Sequence, residues 1–128
     1  MAFLSSFNCA APSWALDTEE VFRNAVAYTV KIRTRITSDF IEDTKGTFTA
    51  AGFVVDAKRG WIMTNAHVVG RSPAVVSAAF IGQKSVKARK VYVDPHIDLA
   101  ILEINPDEGT TALVAAPLDC HGTPSIGH

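Results

Sequence analysis

An excess of charge of either sign is missing from this sequence: 12 basic residues stand against 13 acidic ones, a net of −1. That balance excludes the basic footprint by which proteins hold nucleic acid or anionic lipid. Cysteine is scarce. Only Cys9 and Cys120 occur, without a Cys-x-x-Cys pair, so neither a zinc nor a redox site is expected. A disulfide between the two is not expected either, because Cys9 lies in a stretch read as non-folding. No apolar run reaches the roughly 18 residues that a membrane-crossing helix needs. The N-terminus is apolar and small from Met1 to Ala11, and Ser13-Trp14-Ala15 has the form of a cleavage site, yet no Lys or Arg precedes it. Residues 1–16 are therefore expected to be a leader or a disordered segment, and they do not reveal a compartment.

What is present is a globular composition, 48% apolar and 20% charged over 128 residues, enough for one domain with a real core. The spacing of Val21, Phe22, Ala25 and Val26 behind Asp17-Thr18-Glu19-Glu20 predicts a short helix capped at Asp17 or Thr18. The period then changes to two. Tyr28, Val30, Ile32, Thr34 and Ile36 alternate with Thr29, Lys31, Arg33 and Arg35, a strand with one wet face. Further strands are expected at 47–55, 61–64, 74–81, 85–93 and 99–104, separated by turn residues such as Asp56-Ala57-Lys58-Arg59-Gly60 and Gly82-Gln83-Lys84. Lys84, Lys87, Arg89 and Lys90 fit a solvated strand face better than a ligand patch. Six strands joined by hairpin turns, with no alternation of strand and helix, predict an all-β barrel or sandwich over residues 17–128. Past Thr110 the chain is rich in turn residues.

Two strings carry chemistry. Thr64-Asn65-Ala66-His67-Val68-Val69 puts a histidine just after a buried strand, and Asp94-Pro95-His96-Ile97-Asp98-Leu99-Ala100-Ile101-Leu102 puts carboxylates just before another. Either residue alone is commonplace: a histidine beside valines is usually structural, and an aspartate before a strand usually closes a turn. Together they form two members of a nucleophilic triad, in which a carboxylate fixes the imidazole tautomer and stabilises the imidazolium. Asp98 is preferred to its rival Asp94 because Leu-Ala-Ile-Leu follows it directly; a carboxylate there is partly desolvated and needs a donor. His96 reads as a loop residue. Cys120 beside His121 is a poor thiol–base pair, since neighbouring side chains point apart. No Gly-x-Ser-Gly-Gly or Gly-x-Ser-x-Gly string occurs, and Ser125 has no nucleophile-like setting.

These two strings, with Gly52-Phe53-Val54-Val55 and Gly60-Trp61-Ile62-Met63 in the same order, resemble the HtrA (Do-like) family of trypsin-like serine proteases. The resemblance runs from about Glu20 to Pro117 and covers the first of that family's two six-stranded antiparallel barrels. It implies that His67 is the general base and Asp98 its orienting carboxylate, with Thr64, Asn65 and Ala66 as framing positions. It implies no metal and no cofactor, unfolded or damaged proteins as substrates, and frequent assembly as a homotrimer through the N-terminal region. The serine, the oxyanion hole and the specificity pocket belong to the family's second barrel, so these 128 residues alone are expected to be inactive. The leading expectation is thus the N-terminal part of a serine endopeptidase. The alternatives are a non-catalytic half-barrel serving as a binding or assembly module, and one half of a two-chain enzyme.

Overall fold

The computed structural model describes residues 13–122 apart from 41, 109–111 and 119. Cys9, Ser125 and most of the expected leader lie outside the described residues. Helix α1 (Ser13–Tyr28) runs directly into β1 (Thr29–Ile36), followed by β2 (Gly46–Asp56), β3 (Trp61–Thr64), a one-turn helix α2 (Ala66–Val69), β4 (Ala74–Ala79), β5 (Val86–Asp94) and β6 (Leu99–Ile104). A short 3₁₀ turn, Pro106–Glu108, follows.

The six strands close into an antiparallel barrel in the order β1-β2-β3-β6-β5-β4. Closure leaves no unpaired edge. Period-two patterning dictates which side chains fill it: along β1, Val30, Ile32, Thr34 and Ile36 are buried while Lys31, Arg33 and Arg35 face outward. Ile32, Ile62 and Leu102 are the largest fully buried side chains, each contributing about 1.5–3 kcal/mol of transfer free energy. The β2–β3 hairpin turns at Asp56, whose Oδ1 accepts the N–H groups of Lys58 and Arg59 at 3.0 Å each. Gly60 ends that turn at φ 69°, and a Cβ there would lie 2.1 Å from the Ile104 carbonyl oxygen. Only glycine fits.

Three expectations change. Helix α1 begins at Ser13 rather than at a cap on Asp17 or Thr18, and its Val21, Phe22 and Val26 are exposed instead of packed on the barrel. The turn α2 has no counterpart in the sequence reading, because four residues are too few to show a helical period. Lys90 does not share the solvated face of Lys87 and Arg89. Alternation from buried Ala88 keeps Lys90 on the inner side of β5, and a bulge between Lys90 and Tyr92 then shifts the β5–β6 register, so that Val91 and Tyr92 both emerge.

Candidate active site

The β3–β6 ladder creates the site. Thr64 pairs with Ala100, so the chain leaving β3 and the chain entering β6 depart from the barrel at the same rim. Residues 31 positions apart, His67 and Asp98, are thereby brought side by side. Thr64 Oγ1 ties the end of β3 to β2 by donating to the Ala51 carbonyl at 2.9 Å. In α2, Ala66, Val68 and Val69 are buried, and this one-sided burial leaves His67 as the outward residue of the turn.

His67 Nδ1 lies 2.8 Å from Asp98 Oδ2 and 3.0 Å from Oδ1. The His67 backbone N–H also donates to Oδ1 at 3.0 Å, and the Asn65 amide donates to Oδ2 at 3.0 Å and to the Asp98 carbonyl at 3.3 Å. Asp98 itself sits at φ 52°, the left-handed region that short polar residues tolerate better than most. These contacts hold the Asp98 carboxyl below its ordinary value of 3.8: the His67 backbone N–H contributes most, then the His67 ring, with burial opposing them and the Asn65 amide adding to them. The His67 side chain is 72% exposed and that of Asp98 45%. A contact so wet adds little to the stability of the fold. A carboxylate accepting from Nδ1 fixes the proton there and leaves Nε2 as a base facing solvent.

The sign of the Asp98 shift sets a pH dependence. A carboxyl whose folded pKa is depressed contributes stability that is fully present above its unfolded value, about 3.9, and lost as pH falls through the folded value. Carboxyl ¹³C titration should place the Asp98 midpoint below 3.8. A midpoint at or above that value would mean that the donors around Asp98 are not made in solution.

Behind α2 a polar network anchors its C-terminal end. Gly70, at φ 63°, donates its N–H to the Ala66 carbonyl at 3.0 Å. A Cβ at Gly70 would come within 2.9 Å of both Asp43 carboxylate oxygens. Asp43 Oδ2 accepts the N–H groups of Arg71, at 2.8 Å, and of Ser72. Burial pushes the Asp43 carboxyl up, but the Ser72 and Arg71 donors and the Lys90 charge bring it below its ordinary value. Buried Ser72 accepts from the Phe40 N–H at 2.8 Å. Lys90 Nζ donates to the carbonyls of Val69 (3.3 Å), Gly70 (3.1 Å) and Ser72 (2.6 Å). Nothing in the spacing of Asp43, Ser72 and Lys90 announces this cluster. A lysine on the inner register of a strand is the one available signal.

The other candidate residues lie elsewhere. Asp94 is occupied by its own turn, accepting the His96 N–H at 2.9 Å and the Tyr92 hydroxyl at 3.0 Å. His96 is an exposed loop residue, and Cys120 is an exposed free thiol. Among the described residues no three of His, Cys, Asp and Glu converge as a metal site, and no helix is long and apolar enough to cross a membrane. A cavity of about 310 Å³ opens beside His67 and Asp98, its walls including Ile36, Phe48, Ala66 and Pro95.

Residues 50–128 match the family model described as a trypsin-like peptidase domain. The chain is 42% identical over 98 residues to the pro-apoptotic serine protease NMA111 of Pyricularia oryzae, covering 74% of this chain and 10% of that protein. The NMA111 protein of Chaetomium globosum is likewise 42% identical, over 93 residues, covering 73% of this chain and 9% of its own length. The chain thus spans about a tenth of these relatives. In shape it resembles the serine endoprotease of Yersinia pestis, with TM-score 0.67, 25% identity, and coverage of 92% of this chain and 37% of the other. A protease of M. tuberculosis in its active form gives TM-score 0.66 at 25% identity, covering 97% and 51%.

Proposed function

The chain belongs to the trypsin-like peptidase domain family, with relatives of HtrA type, and from that premise we propose that it is the His/Asp-bearing barrel of a serine endopeptidase. The observation that carries this reading is the geometry at the barrel rim: one carboxylate accepts both the Nδ1 side of the His67 ring, at 2.8 Å, and the His67 backbone N–H, at 3.0 Å. In this role Asp98 holds the imidazole with its proton on Nδ1. His67 Nε2 takes the proton of a serine hydroxyl as that oxygen attacks a peptide carbonyl, then returns it to the departing amine, and water repeats the cycle on the acyl-enzyme. The serine and the oxyanion-hole donors come from a second barrel facing this rim, so the 128 residues alone are inactive.

Substrates in this reading are unfolded or damaged proteins, whose extended segments can lie across the rim. A homotrimer would form through α1, where Val21, Phe22 and Val26 are exposed. The test uses the natural protein that carries this barrel, treated with a peptidyl chloromethyl ketone and mapped by mass spectrometry. The expected product is a single adduct on His67, with none on His96 or His121, and loss of activity on denatured casein in step with labelling. A folded protein that neither hydrolyses casein nor becomes alkylated at His67 would instead be a binding or assembly module.

A further inference from the structure

Asn65 occupies the N-cap of α2 with the extended backbone of a capping residue, φ −80° and ψ 147°, yet its side chain makes no cap hydrogen bond. Asparagine at an N-cap ordinarily accepts from the N–H of the second or third helical residue. Here the second helical N–H, that of His67, goes to Asp98 Oδ1 across the rim. The Asn65 amide in turn donates to Asp98, at Oδ2 and at the backbone carbonyl. Cap and carboxylate have exchanged partners: Asp98 caps the turn, and the residue built to cap it holds Asp98. The exchange matters because Asp98 is in the left-handed region, a conformation of a non-glycine residue that persists only when its surroundings impose it. Asn65 grips both ends of that residue, its side chain and its carbonyl.

We propose that Asn65 is a positioning residue, whose amide locks the Asp98 side chain in the rotamer that keeps the His67 proton on Nδ1. With Oδ1 committed to the His67 backbone and Oδ2 to Asn65, the carboxylate cannot swing to solvent without breaking two hydrogen bonds besides the one to the ring. Without the amide, only the His67 backbone N–H and the ring hold the carboxylate, its turn about χ2 is less restrained, and the imidazole more readily places its proton on Nε2, the nitrogen that must be bare to act as a base.

This inference rests on the reading of His67 and Asp98 as base and orienting carboxylate. Asn65→Ser removes the amide that reaches Asp98 while keeping a residue suited to the N-cap backbone. ¹⁵N chemical shifts of the His67 ring report the tautomer directly, and carboxyl ¹³C titration reports Asp98. In the parent the Nδ1–H tautomer should dominate in the neutral ring. In N65S the ratio of Nδ1–H to Nε2–H should fall roughly three- to tenfold, the net scale of one ordinary hydrogen bond, and the Asp98 titration should move up while the melting temperature stays close to the parent's. A second variant, Asn65→Ala, should show the same ring and carboxyl changes, again with a melting temperature close to the parent's, because the Asn65 side chain makes no cap hydrogen bond that could be lost. An unchanged tautomer ratio and Asp98 titration in N65S, beside a parent in the Nδ1–H form, would overturn the role of Asn65 alone. A parent already in the Nε2–H form would overturn the base and carboxylate assignment together with it.

Discussion

With Asp98 in its proposed role, replacing it by asparagine in the natural protein is expected to lower kcat for peptide hydrolysis about 10⁴-fold, the scale on which Ser-His-Asp triads depend on their carboxylate. The local geometry says which way the substituted amide will sit. If its NH₂ took the Oδ1 position it would face the His67 backbone N–H, 3.0 Å away, two donors with nothing between them, and that N–H cannot turn aside. If the NH₂ takes the Oδ2 position it faces the Asn65 amide at 3.0 Å and His67 Nδ1 at 2.8 Å. The Asn65 amide can flip and present its oxygen, so this second arrangement is the cheaper one. It has a price in chemistry: Nδ1 must now accept, the proton moves to Nε2, and His67 can no longer take one from serine.

The same substitution should scarcely move stability. With 72% of the His67 side chain and 45% of Asp98 exposed, solvent screens the pair and it adds little to folding. Steady-state kinetics beside a thermal melt separate the two consequences. A large fall in kcat with KM and melting temperature nearly unchanged is the expected pattern. A tenfold or smaller loss would show that the imidazole tautomer is fixed by something other than Asp98, and the proposed division of labour would fail.

The barrel was largely legible in the sequence because its evidence is repeated at every second residue. Strand β1 alternates over eight positions, and its buried set of Val30, Ile32, Thr34 and Ile36 is the set that the alternation names, except that Tyr28, read as the first inward residue, instead ends α1. The proximity of His67 and Asp98 was legible for a different reason: each lies within three residues of a strand end, and those strands are neighbours in the ladder. Asp98 rather than Asp94 meets the histidine because the apolar run Leu99–Ile104 begins immediately after it. What stayed hidden depends on contacts without a period. The α1 start at Ser13 precedes any acidic cap, the turn α2 is too short to signal itself, and Lys90, on the inner register two residues after Ala88, sits among basic neighbours that mask it as part of a solvated face. Asn65 reads as a framing residue in sequence, since an amide that abandons its own helix for a residue on another strand leaves no trace in local spacing.

The largest stability effect is expected from one of those hidden residues. Lys90→Met should lower the unfolding free energy by about 2–3 kcal/mol, because it strands buried backbone acceptors without opening much space. Methionine replaces the methylene stem, so the cavity left behind is small, but the carbonyls of Val69, Gly70 and Ser72 lose their shared donor. Attraction to Asp43 is the lesser part of the loss. Burial pushes the Lys90 amine below its ordinary 10.5, and the neighbouring Asp43 only partly opposes this. A lysine depressed in the folded state makes stability rise with pH in the alkaline range approaching the unfolded value, where the folded protein has already shed the proton. The parent should show that rise and the methionine variant should not. Urea denaturation gives the magnitude as a shift in midpoint at constant slope. Amide exchange gives the place: the Gly70 N–H, bonded to the Ala66 carbonyl at the end of α2, should exchange faster. A loss under about 0.5 kcal/mol, the range of ordinary surface substitutions, would mean that water satisfies those three carbonyls. The turn carrying His67 would then be held from the Asp98 side alone.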